Sequence, residues 1–126
     1  MGRSQMAEEL FNASTTNNIG ISAGTHTAPF SEQKLKDVAP LTVQVLKEKN
    51  IDVANKNPVR LSKELTEFAD KIIVITDKIY LPDYLQNSDK LIFWDIKNGE
   101  GKDYEFHVAM RNQLEKLVES LIKKIG

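Results

Sequence analysis

The residues best placed for chemistry stand at the start of the chain. Gly2-Arg3-Ser4-Gln5-Met6-Ala7-Glu8 sets a guanidinium and a hydroxyl at the beginning of an expected helix. The first N–H groups of a helix lack internal partners and lie at the positive end of its dipole, so they favour an anion. Arg3 adds planar, bidentate donors suited to phosphate or its analogues. On these residues alone the alternatives stay open: Arg3 solvated, and Ser4 serving only as an N-cap.

Other chemistry is limited by what the chain lacks. It has no cysteine, which removes disulfides, thiolate zinc sites, redox couples and a thiol nucleophile. His26 and His107 are its two imidazoles, far apart in sequence, so a histidine metal cluster is not expected. No metal or other cofactor is expected. The 17 basic and 18 acidic residues give a formal net charge of -1, which draws the chain toward neither nucleic acid nor anionic lipid. The longest apolar run, Ile72 to Ile75, is far short of the roughly 20 residues of a membrane span, and no signal-peptide core follows Met1. A cytoplasmic location is expected.

These side chains need elements to hold them. The 126 residues, 40% apolar and 28% charged, have the balance of a single domain spanning 1–126. Met6, Ala7, Leu10 and Phe11 recur at helical spacing from Ser4 to Asn12, with Glu8 and Glu9 near the positive end of the dipole. A turn then leads to a short strand, Ile19 to Ser22, ending in Ala23-Gly24-Thr25. His26 to Asp37, which contains Pro29, reads as a loop with some irregular helix. Pro40 opens a helix with Leu41, Val45 and Leu46 on one stripe, closed by Asn50. A turn-rich stretch through Pro58 precedes a helix capped by Ser62, with Leu65, Phe68 and Ala69 facing inward. Ile72-Ile73-Val74-Ile75-Thr76 is the clearest strand, β-branched and continuously apolar as parallel strands covered on both faces are. Leu91 to Trp94 repeats it. The last helix, from about Tyr104 to Lys124, carries Leu114, Leu117, Val118, Leu121, Ile122 and Ile125 at helical spacing. The expected fold is α/β, a doubly wound parallel sheet with helices on both faces. No Gly-rich phosphate loop follows a strand, which disfavours an unrelated nucleotide-binding protein.

Arg3-Ser4-Gln5-Met6-Ala7-Glu8 resembles the closing half of the phosphate-binding loop and first helix of the low-molecular-weight protein tyrosine phosphatase superfamily. That superfamily includes the thioredoxin-coupled arsenate reductases. The resemblance extends along the chain in order. Ser22-Ala23-Gly24-Thr25 is similar to the family's second-strand ending. Pro40-Leu41 through Glu48, then Ile51-Asp52-Val53, resembles its helix and "GID" turn. Ala69 to Thr76 resembles its third strand, and Trp94-Asp95-Ile96 with the last helix resembles its final third.

The resemblance implies that Arg3 binds the equatorial oxygens of phosphate or arsenate, that Ser4 hydrogen-bonds in the loop, and that Ser22 supports the loop; the alternative for Ser22 is simply to end a strand. The departures are as informative. The family's loop, C-x-G-N-x-x-R-S, follows a first strand and carries the cysteine that attacks the oxyanion centre. Here the chain is expected to start inside that loop, without the strand or the cysteine. The family's general acid sits in an Asp-Pro pair, where this chain has Asn98-Gly99. Asp95 is the nearest carboxylate and Asp103 the next, each with a surface or capping role as the alternative. The resemblance therefore implies a phosphatase-like domain with no catalytic residue as given. A pseudo-enzyme binding an oxyanion or a protein partner is the other reading, and an arsenate reductase the least favoured. Without the family's central first strand, Ile19 to Ser22 and Ile72 to Thr76 lose a shared neighbour, and a second copy or a strand-donating partner is an expected route to repair.

Overall fold

The computed structural model describes residues 2–15, 18–22, 34–56, 62–75, 82–85, 88–97, 99 and 101–125. In order it contains α1 (Gly2–Ser14), α2 (Leu35–Val38), α3 (Pro40–Lys47), α4 (Lys63–Phe68), β1 (Ile72–Val74), β2 (Leu91–Phe93) and α5 (Tyr104–Ile125). A 3₁₀ turn, Asp83–Leu85, stands between the strands. β1 and β2 pair in parallel, with Ile72 opposite Leu91 and Val74 opposite Phe93. The fold is α/β, with a small parallel sheet and helices.

Local chemistry explains most element boundaries. Pro40 occupies the first turn of α3, where its missing N–H costs nothing. Asn50 ends that helix with φ 64°, a left-handed conformation that asparagine tolerates, and Asn50 N and Ile51 N close back on Lys47 O and Leu46 O. Ser62 caps α4, its Oγ accepting from Leu65 N at 3.2 Å. Asp103 caps α5 in the same way, accepting from Phe106 N at 3.0 Å.

The core lies where three helices meet. Met6 and Leu10 of α1, Val45 and Leu46 of α3, and Met110, Leu114 and Val118 of α5 are buried together with Leu35, Ile75 and Ile96. The spacings 6/10 and 110/114/118 put each set on one helical face. Arg111 is buried beside them and joins α5 to α3: its Nη1 donates to Val45 O at 3.0 Å and to Glu48 Oε1 at 2.8 Å.

Several expectations are corrected. Ile19 to Ser22 forms no strand, because no neighbouring strand lies beside it among the described residues and the side chains of α1 take up its backbone groups. Asn12 accepts from Gly20 N at 2.7 Å and donates to Gly20 O at 3.0 Å, while Glu8 accepts from Ser22 N at 2.7 Å. α1 starts at Gly2, so Glu8 and Glu9 fall beyond its first turn, which holds no acidic residue, and both pair with Lys56 instead. Phe68 is 81% exposed rather than inward, and Thr66 is the buried residue of α4. The expected features at Ala23-Gly24-Thr25, His26, Pro29, Pro58, Thr76 and Asn98 lie outside the described residues.

Candidate oxyanion site at the start of the first helix

Arg3 and Ser4 stand in the first turn of α1, both half-buried. Because the helix starts at Gly2, Ser4 is inside the first turn and is not the N-cap. It is engaged there, as is Arg3. The Arg3 guanidinium reaches across the fold to the segment after β2, where Nη1 donates to Ile96 O at 2.6 Å. A guanidinium carries five N–H donors in a fixed fork, so this bond fixes its plane while engaging one of them. Ile96 itself is buried in the main core, which makes the carbonyl a stable anchor.

The structure therefore brings Arg3 to the 94–97 segment, which also holds Asp95. The Asp95 side chain is exposed between half-buried Trp94 and buried Ile96. Gly99, further along, packs on α5: a β-carbon there would stand 2.8 Å from His107 Nε2 and 3.3 Å from Met110 Cε. The His107 ring is oriented by Nδ1, 2.8 Å from Asp103 O, in a bond that requires the proton on Nδ1. Asp103 is thus committed to the start of α5 through both its carboxylate and its carbonyl.

Ser22 is brought to α1 by its backbone, through Glu8. Its Oγ is buried without a hydrogen-bond partner among the described residues, and so is Oε1 of Gln5, on the same half of α1. Sequence reasoning names Gln5 and Glu8 only as members of the first-helix motif, Glu8 with a role toward the helix dipole, and does not single out Asn12 or Lys56. The available signal was their spacing: 5, 8 and 12 fall at i, i+3 and i+7, one face of a helix, yet are polar.

Glu8, Glu9 and Lys56 form a compact ion-pair cluster joining α1 to the turn after α3. Burial raises the Glu8 carboxyl above its usual value, helped by neighbouring Glu9 and opposed by Lys56. Burial acts to lower the Lys56 ammonium, but its hydrogen bonds to Glu8 and Glu9 prevail and raise it. A cavity of about 390 Å³ beside this cluster is lined by Glu9, Asp52, Val53, Asn55 and Lys56, and does not include Arg3. Among the described residues no group of three His, Cys, Asp or Glu is gathered to hold a metal, and no helix is long and apolar enough to cross a membrane.

The whole sequence, residues 1–126, matches the family described as low molecular weight phosphotyrosine protein phosphatase. The chain belongs to this family. Among solved structures, a low molecular weight protein tyrosine phosphatase from T. tengcongensis superposes with a TM-score of 0.84 at 26% identity, covering 97% of this chain and 90% of that one. Vibrio vulnificus Wzb in complex with benzylphosphonate gives 0.81 at 20% identity, over 97% and 90% of the two chains. An arsenate reductase in the reduced state gives 0.70 at 22% identity, over 98% and 90%. The last two likenesses show the fold alone. No curated protein gives a significant match to the sequence. Among the described residues the sheet of this phosphatase-like domain has two strands.

Proposed function

We propose that this chain is a catalytically silent member of the phosphatase family that binds a phosphate-like oxyanion at the start of α1. The observation that carries the reading is Arg3, anchored by Ile96 O in the first turn of a helix, in a chain with no cysteine. Helix N–H groups and the guanidinium supply binding, but no group supplies the covalent step. A phosphonate is bound by Vibrio vulnificus Wzb, which shares the fold, and this supports an anion of that shape. Ser4 is assigned to the loop hydrogen bonds and Ser22 to support from behind. Asp95 is exposed and lies beside the Ile96 anchor, and the sequence holds no cysteine for it to assist. An arsenate reductase role is disfavoured because that chemistry needs a cysteine relay.

The test is a phosphate and vanadate titration followed by NMR on the amides of Arg3 to Glu8, with an assay of aryl phosphate hydrolysis on the same sample. Shifts confined to those amides, with hydrolysis at background, are expected. Turnover above background, or shifts absent at the α1 start, would overturn the reading.

A further inference from the structure

Glu8 and Glu9 are neighbours on α1, and both reach the same ammonium, Lys56 Nζ. The Glu8 carboxylate is committed on both oxygens: Oε1 accepts from Ser22 N at 2.7 Å and Oε2 accepts from Lys56 Nζ. Its side chain is 9% exposed, against 38% for Lys56. The Lys56 backbone is tied down on both sides, its N–H donating to Val53 O at 3.1 Å and its carbonyl accepting from Leu35 N at 2.8 Å. One cluster thus joins α1, the 18–22 segment and the 52–56 turn, which is itself fastened to α2.

The charges of this junction do not balance. Two carboxylates meet one ammonium, and one negative charge is left uncompensated where water is largely excluded. Among the described residues, the groups that bear on Glu8 are Lys56, Glu9 and the Ser22 N–H. Asp52, which lines the cavity beside Glu9 and Lys56, adds a carboxylate and not a cation. α3 and α5 also pack against α1, but the ion pair at their contact, Arg111 with Glu48, is closed on itself.

A bound proton removes the imbalance. Two carboxyls in contact share one proton more readily than both ionise. Ser22 N and Lys56 Nζ are donors and cannot accept a proton from Glu8; Glu9 can, and its side chain is a hydrogen-bonding neighbour of Glu8. Burial, with Glu9, raises the Glu8 carboxyl above its reference of 4.5 in spite of Lys56 and Ser22. We propose that Glu8 holds a proton hydrogen-bonded to Glu9, and that this proton closes the junction between α1, the 18–22 segment and the 52–56 turn. With the proton in place Glu8 still accepts from Ser22 N, and Lys56 faces a single negative charge. A carboxyl raised in the fold contributes stability that is complete below its unfolded value and is lost as pH rises through its folded value. The junction therefore loosens as pH rises, the reverse of an ordinary salt-bridged carboxylate.

The test is a carbon-detected NMR titration of the glutamate carboxyls in phosphate-free buffer, with Glu8 assigned through its own backbone. The Glu8 midpoint should lie above 4.5, and the Ser22 amide should move with the same midpoint. Glu9→Gln removes the like charge and should lower the midpoint; Lys56→Met removes the ammonium and should raise it. Shifts of opposite sign are not expected of a merely structural contact. Glu8→Gln keeps an acceptor for Ser22 N and a donor for Glu9, so in urea unfolding the parent chain should lose stability relative to this variant as pH rises. A midpoint at or below 4.5, a Ser22 amide that does not follow it, shifts of the same sign in Glu9→Gln and Lys56→Met, or a stability gap to Glu8→Gln that stays constant with pH would each overturn the proposal. Because no phosphate is present, the outcome is independent of the anion site at Arg3.

Discussion

Arg3 Nη1 and the carbonyl of Ile96, 2.6 Å apart, tie the first turn of the first helix to a segment 93 residues later. This bond holds the guanidinium in place for the anion proposed above. A charge-assisted hydrogen bond is worth about 1.5–3 kcal/mol. Arg3→Ala should therefore raise the phosphate dissociation constant roughly tenfold to a hundredfold, and Arg3→Lys should recover part of the affinity by charge alone. Calorimetric or NMR titration of the three proteins checks this. Equal affinities would remove Arg3 from the site.

Gly99 has no room for a side chain. A β-carbon there meets His107 Nε2 at 2.8 Å and Cε1 at 3.1 Å, on a ring already fixed by Asp103 O. Gly99→Ala should cost about 1–3 kcal/mol by overpacking. His107→Ala in the same chain should return part of that loss, and a double-mutant cycle in urea measures the coupling.

Leu114 is fully buried at the centre of the α1, α3 and α5 contact, whereas Ile125 on the same stripe is 36% exposed. Leu114→Ala should lower stability by about 2–5 kcal/mol. Ile125→Ala should stay within about 0.5 kcal/mol. Chemical denaturation of both variants compares them directly.

The Tyr104 hydroxyl donates to Glu48, which also receives Arg111. The Tyr104 bond, with Arg111, holds the Glu48 carboxyl below its reference of 4.5. Glu48 raises Tyr104 above 10.0. A lowered carboxyl stabilises the fold above its unfolded value and loses that contribution as pH falls through the folded one; a raised phenol stabilises below its unfolded value and loses it as pH rises. The Tm gap between the parent chain and Glu48→Gln should therefore shrink between about pH 7 and pH 3. Tyr104→Phe should flatten the alkaline limb. A gap that stays constant with pH would show that the network carries no linked proton.

The helices were readable because periodicity and caps report local physics. Pro40, Asn50 and Ser62 mark boundaries within a few residues of themselves, and Leu114 to Ile122 fix the buried face of α5. The strands at Ile72 and Leu91 were readable from their β-branched runs. Ile19 to Ser22 was misread because a strand is defined by its neighbour, and apolar alternation cannot reveal that Asn12 and Glu8 replace that neighbour. Phe68 was misplaced because helical phase near a short helix end is set by tertiary contacts. At the site, the Arg3 signal was local, but its anchor at Ile96 depends on a tertiary contact with a segment 93 residues away. The buried Gln5 was invisible for the same reason: nothing in a polar residue's identity states which face of a helix will be covered.

The packing of α1 against α5 has a consequence during biosynthesis. Met6 and Leu10 leave the ribosome well before the Met110, Leu114 and Val118 surface that completes their burial is made. At translation rates of about 5–20 residues per second, the nascent chain carries an uncovered apolar helix for seconds. Through that interval the apolar face of α1 is open to other hydrophobic surfaces, and loss of α5 would leave it so.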